Sequence, residues 1–434
     1  MKQALLSRSL LLLLSMLLLA SIFLSFLFDE YRFYTGMGSD AAIAPQDSGI
    51  AVSYYINGST YLYTANMDGS HAARVTNAAS ADETNPVFSP DGEELLFLDE
   101  TKEQIHSLFT VRLGESEPQR LTGDDLHIRD AVFSPNGTTI YAIGIPTEDW
   151  MAEDSTSAGS FDIYAIERGS GETEKITNND YFIMSHLSIS PQGEYLLFNI
   201  TEENKEEIRT YPLSETSDIP ASYKQFPTGI YGAVLAPDGQ QVAYSAISNT
   251  AAAEKTNQYD LFLFNNETGQ SERLTADSSN IESPSFYHKS NQVMYVEDEN
   301  WPDQPESYKL RSMDLADKEA TTIELDVPNH SQQRWLSSTA LFLMNPTTTL
   351  ILYALLGGFA AFKLRRFPKA IFLPACGSAL LSGAAYGMNY FYPWTYQDIV
   401  IALGPPAFSL LLCAGLFWLL GFSLRKLPNK KNRG

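Results

Sequence analysis

Apolar and polar positions follow three rhythms along the chain. Residues 9–28 carry no charged side chain, a length that crosses ~30 Å of hydrocarbon as a helix. From about residue 40 to 330, short apolar runs alternate with polar turns, the spacing of β-strands. Three long apolar stretches then close the chain: Leu336–Phe362, Ala370–Met388 and Ile399–Leu424. Asn345-Pro346 interrupts the first of these and is expected to kink it or mark its start. The pattern predicts a short N-terminal segment (1–8), a transmembrane anchor (9–28), a β body (29–335), transmembrane helices at 336–362, 370–388 and 399–424, and a basic tail (425–434). A cleaved signal peptide competes for the first stretch, but its apolar run is long for a signal core and no clean Ala-x-Ala site closes it.

Within the body one pattern returns: an apolar strand, a Ser-Pro-Asp-Gly turn, a second apolar strand. It appears as Val87-Phe88-Ser89-Pro90-Asp91-Gly92, Val132-Phe133-Ser134-Pro135-Asn136-Gly137, Ser188-Ile189-Ser190-Pro191-Gln192-Gly193 and Val234-Leu235-Ala236-Pro237-Asp238-Gly239. Weaker copies fall at Pro45 and at His288, which replaces the proline and reads as a tolerated surface residue. Pro presets one turn dihedral, Asp or Asn bonds its own backbone, and Gly accepts positive φ. A second signal keeps step with the first: Arg74-Val75-Thr76, Arg120-Leu121-Thr122, Lys175-Ile176-Thr177 and Arg273-Leu274-Thr275, with Lys224-Gln225-Phe226 and Thr322-Ile323-Glu324-Leu325 as weaker forms. A third apolar strand lies between the two signals. The turn positions 45, 90, 135, 191, 237 and 288 recur every 45 to 56 residues, the period of a four-stranded propeller blade. The fold class expected is an all-β six-bladed propeller ectodomain plus four α-helical transmembrane segments.

Charge sharpens the division. Of 29 basic and 52 acidic residues, 18 and 51 fall in residues 29–335, a net of −33 against +10 for the rest. Lys2 and Arg8, then Lys363, Arg365, Arg366 and Lys369, then the tail cluster from Arg425 to Arg433, all reach one side if the chain crosses four times. The positive-inside rule makes that side the cytoplasm, with both termini there. The body and the aromatic loop Asn389–Tyr396 then lie outside. An acidic body does not bind nucleic acid, whose phosphates need clustered Lys and Arg. No expected span holds an ionisable Asp, Glu, Lys, Arg or His, which argues against transport. Both cysteines, Cys376 and Cys413, sit in apolar runs, so the body has no disulfide. Gly383 and Gly387 form a small-xxx-small spacing that packs the hairpin itself or receives a membrane-protein partner.

The Ser-Pro-Asp-Gly turns paired with Arg-Leu-Thr strands resemble those of the TolB-like six-bladed β-propellers, over about residues 40–330. The resemblance implies a propeller that serves as a protein-binding platform. It implies no partner, because this chain adds membrane segments and lacks the extra amino-terminal domain of the periplasmic members.

A search for chemistry finds no Gly-x-Ser-x-Gly elbow, His-Glu-x-x-His or Walker loop. The six histidines show no metal-ligand spacing. An enzyme is therefore not expected, and no cofactor or metal is expected either. Acidic runs such as Asp124-Asp125 and Glu297-Asp298-Glu299 lack the loop spacing of a Ca²⁺ site and read as turns and solvated loops.

The candidate site comes from register. In a propeller the innermost strands line a central channel, and residues entering them ring its mouth. Five positions before each turn proline stand Asp40, Asn85, Asp130, His186 and Gly232, with Ser283 at the matching place and Arg129, Tyr231 and Glu282 beside them. This polar ring is the expected ligand-binding site. The segment Pro146–Ser160 reads as a loop inserted into one blade for recognition. The function expected is a membrane-anchored extracytoplasmic module that binds or senses a protein or cell-envelope ligand. The alternatives are an accessory subunit of a membrane complex and a propeller hydrolase or lyase acting on envelope glycans or peptides.

Overall fold

The computed structural model describes residues 2–27, 34–56, 58–77, 82–102, 104–152, 161–202, 205–215, 219, 223, 226–227, 229–247, 258–276, 280–302, 306–328, 330–365, 367, 369–391 and 397–426. The chain divides into two compact units: residues 1–33 with 335–434, and residues 34–334. The helices of the described residues are α1 (Lys2–Leu27), the single-turn α2 (Thr147–Trp150), α3 (His330–Met344), α4 (Pro346–Leu364), α5 (Leu373–Phe391) and α6 (Gln397–Lys426).

In the helical unit, the break at Asn345-Pro346 falls between α3 and α4. Pro occupies the first turn of α4, where no N–H is needed, and the Asn345 side chain accepts a hydrogen bond from the Thr347 N–H at 2.8 Å. Among the described residues, Pro346–Leu364 is long and apolar enough to cross a membrane; shorter apolar helices occupy Ser9–Ser25, Ala370–Gly383 and Ser409–Arg425. Helix packing here depends on a missing side chain. A Cβ on Gly357 would run into the Phe417 ring, so a larger residue there obliges that ring to move. Beyond its chain neighbours and its own helix backbone, no described atom lies within 4 Å of where a Cβ on Gly383 would sit.

The other unit is mostly β. Its strands form antiparallel meanders: β1 (Thr35–Ile43), β2 (Ile50–Ile56), β3 (Ser59–Ala65) and β4 (Ala73–Arg74); then β5 (Thr84–Phe88), β6 (Glu94–Lys102), β7 (Ile105–Arg112) and β8 (Gln119–Arg120). Next come β9 (Leu126–Phe133), β10 (Thr139–Pro146), β11 (Asp162–Glu167) and β12 (Thr173–Lys175), followed by β13 (Ile183–Ile189), β14 (Tyr195–Glu202) and β15 (Lys205–Pro212). The last are β16 (Ile230–Leu235), β17 (Gln241–Ile247), β18 (Tyr259–Asn265) and β19 (Ser271–Arg273), and β20 (Asn280–Phe286), β21 (Gln292–Asp298), β22 (Tyr308–Asp314) and β23 (Ala320–Ile323). A single parallel pair, Tyr259 with Asn280, links these last two meanders. Lys224 and Gln225, expected in the fourth strand after β15, lie outside the described residues, as do residues 153–160 of the expected inserted loop.

Alternation explains the continuous apolar runs. Leu95 and Phe97 of β6 enter the core shared with the first meander, while Leu96 and Leu98 enter the core shared with the third. Likewise Tyr195 and Leu197 of β14 face one neighbour, and Leu196, Phe198 and Ile200 face the other. Each central strand is thus buried on both faces. One core joins the last meander to the first, with Met294, Val296 and Leu310 packed among Met37, Ile50, Val52 and Tyr54. The first strands touch in cyclic order, β1 with β5, β5 with β9, β9 with β13, β13 with β16, β16 with β20, and β20 with β1.

Both repeated motifs have an identifiable structural cause. In the first turn signal, Ser89 Oγ donates to Asp91 Oδ1 at 2.6 Å, Asp91 Oδ1 accepts from the Glu93 N–H at 3.0 Å, and the Gly92 N–H donates to the Ser89 carbonyl at 2.8 Å. Gly92, Gly137, Gly193 and Gly239 take φ of 70 to 72° at the turn ends. In the second signal the threonine serves the third strand. Thr177 Oγ1 accepts from the Ile163 N–H at 2.8 Å and donates to buried Asp162 at 2.6 Å; Thr275 does the same for Leu261 at 2.9 Å and Asp260 at 3.2 Å. The motif's cation neutralises that carboxylate, Lys175 to Asp162 at 2.8 Å and Arg273 to Asp260 at 2.7 Å.

Candidate functional site

All seven expected residues line one cavity of about 820 Å³, which extends from their ring to the turn prolines Pro45, Pro90, Pro135, Pro191 and Pro237 and to His288. Each of the six first strands breaks register at this ring: between Met37 and Ala41, Thr84 and Val87, Ser185 and Ser188, Tyr231 and Val234, and Glu282 and Ser285, and opposite Ile143-Gly144 around Arg129. These bulges turn backbone and side chains toward the axis. Asn85, His186 and Ser283 adopt left-handed backbone, with φ of 51, 55 and 48°, and Gly232 does so at 63°. Such backbone costs a non-glycine residue roughly 1 kcal/mol or more and is held here by surrounding bonds.

Those bonds run from one meander to the next. Asp40 accepts from the Asn85 N–H at 3.3 Å, and Asp130 accepts from the Leu187 N–H at 2.7 Å and from its own neighbour Ala131 at 2.8 Å. Asn85 Nδ2 donates to the Arg129 carbonyl at 3.4 Å. Asp40, Asn85 and Asp130 therefore also stitch the ring together. Replacing Asp130 removes the acceptor of the Leu187 N–H and so lowers stability as well.

The other members are less engaged. His186 shares a hydrogen bond with Ser185 Oγ at 2.9 Å and meets the Tyr231 ring edge-on at 4.3 Å. Glu282 accepts from Asn280 Nδ2 on its own strand at 2.6 Å. Arg129 lies 5.6 Å from the Phe161 ring centre and forms no salt bridge among the described residues. Electrostatics follow enclosure. Burial, and then the charge of Asp40, push Glu282 up to about 7. Burial also raises Asp130 to about 6 and raises Asp40. His186 drops to about 4 for the same reason, helped by Arg129. Near neutral pH the cavity holds a neutral His186 imidazole, the Arg129 guanidinium with no ion-pair partner among the described residues, and a Glu282 carboxyl close to half-protonated.

Two details were not expected. His288 is more than a surface substitution: its N–H donates to Asp47 Oδ1 at 2.7 Å, and the Lys289 N–H donates to Asp47 Oδ2 at 2.9 Å. The threonine–carboxylate pairs are also new, because the sequence shows the recurring threonine but not the acid it bonds.

No family model matches the chain, and no curated protein matches it. Solved structures do. TolB from Acinetobacter baumannii is 16% identical, with a TM-score of 0.46, over 62% of this chain and 60% of that one. Oligogalacturonate lyase from Vibrio parahaemolyticus is 15% identical, with a TM-score of 0.44, over 67% and 79%. A puromycin hydrolase is 14% identical, with a TM-score of 0.47, over 70% and 56%. The chain spans about 60% of the length of that TolB. These are likenesses of fold, and the propeller-like arrangement rests on the strands described above.

They nevertheless correct one expectation. The absence of a catalytic motif was read as the absence of an enzyme, yet a lyase and a hydrolase stand among the proteins of similar fold. Short motifs report groups close in sequence, whereas a ring of strands collects its groups one or two at a time. The sequence gives no ground for excluding catalysis.

Proposed function

We propose that this chain is a membrane-anchored binding module, a six-bladed propeller outside the membrane whose axial cavity receives part of a protein or cell-envelope ligand. The observation that carries the reading is the convergence of Asp40, Asn85, Arg129, Asp130, His186, Tyr231 and Glu282, up to 242 residues apart in sequence, on one cavity. Apolar side chains would suffice at this ring if it were purely structural, and its members are mostly polar. Strain and bulges at the same positions support the reading. The cluster of carboxyl groups favours a ligand rich in hydroxyl or cationic groups.

The proposal includes four spans, 9–28, 336–362, 370–388 and 399–424, with both termini in the cytoplasm. Helix α4 supports the second span, and the basic flanks support the orientation.

The test uses full-length protein in mild detergent and solubilised envelope material. Glu282→Gln and Arg129→Gln, which leave the bonds between meanders intact, are expected to lose ligand capture without a fall in melting temperature. Glu93→Gln, at an exposed turn, is expected to retain it. Equal capture by all of these proteins overturns the cavity as the binding site.

A further inference from the structure

Away from the axial cavity, Asp82, Glu100 and His106 bring one ligand atom each to within 4.8 Å of one another. None of the three lines the cavity. They come from three places: the segment leading into β5, the end of β6 and the start of β7. Glu100 and His106 face each other directly in the β6–β7 ladder. Two are half-buried and Glu100 is exposed, so the cluster opens to solvent.

Each of the three is braced from behind. The Asp82 N–H donates to Asp99 Oδ1 at 3.0 Å, fixing the loop that carries Asp82. Glu100 Oε1 accepts from the Gln104 N–H at 2.7 Å, and its second oxygen has no hydrogen-bond partner among the described residues. The His106 ring stacks on His127, centroids 5.2 Å apart, and His127 stacks on Trp150 at 4.1 Å. His127 Nδ1 also accepts from the His106 N–H at 3.2 Å, and Trp150 donates to the Gln104 carbonyl at 3.2 Å. Neither ring nitrogen of His106 bonds to a described residue. No salt bridge reaches Asp82, Asp99 or Glu100 among the described residues, although all three carry carboxylates. Ligands at about 2.1 Å from a shared zinc lie roughly 3–4 Å apart, so small side-chain rotations suffice to gather these atoms on one ion.

We infer that Asp82, Glu100 and His106 bind a first-row divalent cation, with zinc the best match. Two carboxylates and one imidazole supply oxygen and nitrogen donors that suit zinc better than calcium, which takes oxygen alone. Three protein ligands leave a position for water. The ion clips the loop before β5 to the β6–β7 hairpin, and the Asp99, Gln104 and His127 contacts form the supporting shell.

The probes are Zn²⁺ by calorimetry and Co²⁺ by its visible absorption, added to metal-stripped full-length protein. One equivalent is expected to bind saturably and to raise the melting temperature. Glu100→Gln and Asp82→Asn are expected to weaken binding by about tenfold or more. His106→Ala is expected to remove the nitrogen-dependent cobalt band. If His106→Ala disturbs the aromatic stack and unfolds, the two carboxamide variants carry the test. No saturable uptake by the wild type, or equal affinity in wild type and both carboxamide variants, overturns the inference.

Discussion

The Asp47 carboxylate accepts hydrogen bonds from the backbone N–H groups of His288 at 2.7 Å and Lys289 at 2.9 Å, joining the first turn of the β body to the last across 241 and 242 residues. The His288 ring adds a contact to Asp47 Oδ1 at 3.2 Å. The contact lies at the end of the axial cavity that the turn prolines line. It works together with the apolar core between the first and last meanders, and the two together bring β20 beside β1.

Removing that carboxylate tests the closure. Asp47→Ala leaves two backbone donors without their acceptor and is expected to destabilise by about 1–3 kcal/mol. The pH dependence has a definite sign. Partial burial raises the Asp47 carboxyl, but bonds from His288 and Lys289 outweigh it and hold the group below its usual range. Its contribution is present above the unfolded pKa and disappears as pH falls through the folded one. Thermal unfolding in detergent across the acid range, wild type against Asp47→Ala, checks both: the difference between them should shrink on acidification.

The threonine–carboxylate pairs predict a graded series. Thr177 receives the Ile163 N–H and donates to buried Asp162, whereas Thr122 receives the Leu108 N–H at 2.9 Å, with Ser107 where the acid stands elsewhere. Thr177→Val is expected to cost about 2–3 kcal/mol and Thr122→Val about 1 kcal/mol. Melting temperatures of the two variants measure the order, and a reversed order contradicts the assigned role.

Titration of the cavity should appear in stability. Glu282 at about 7 and Asp130 at about 6 hold protons that the unfolded chain releases, so their effect is to lower stability as pH rises. His127 and His186, both lowered to about 4 by burial, act oppositely between there and the ordinary histidine value of 6.5. Above about pH 6.5 the carboxyl effect stands alone. The melting temperature is expected to decline between about pH 6.5 and 7.5, and Glu282→Gln is expected to flatten that decline.

Turn glycines differ by what they touch. A Cβ on Gly193 would lie 3.2 Å from Pro135 Cδ in the preceding turn, while Gly171, also at positive φ, has nothing within 4 Å. Gly193→Ala adds crowding to backbone strain, so it should lower the melting temperature more than Gly171→Ala, which pays only the roughly 1 kcal/mol of left-handed backbone.

The residues that were legible in advance share one property: their structural cause is local. Ser89, Pro90, Asp91 and Gly92 make their turn with each other. Counting five positions back from each turn proline reached the ring because strand register carries that far. The bulges that twist Asn85 and His186 into left-handed backbone break this register only inside the ring, so the count survived. What stayed hidden depends on partners far away in sequence. Thr177 shows its place in a repeat but not its bond to Asp162, and His288 looks like a lost proline until Asp47 is placed beside it. The trio of Asp82, Glu100 and His106 has no motif because a loop and a hairpin assemble it.

The most direct test concerns ring closure, on which the cavity and its seven side chains depend. In full-length protein carrying Cys376→Ser and Cys413→Ala, the pair Asp47→Cys and His288→Cys is treated with a short bis-maleimide and mapped by mass spectrometry. The account predicts an intramolecular link between the two peptides in native protein that disappears on prior unfolding. Failure of the native protein to form that link, while each cysteine reacts singly with maleimide, would contradict it.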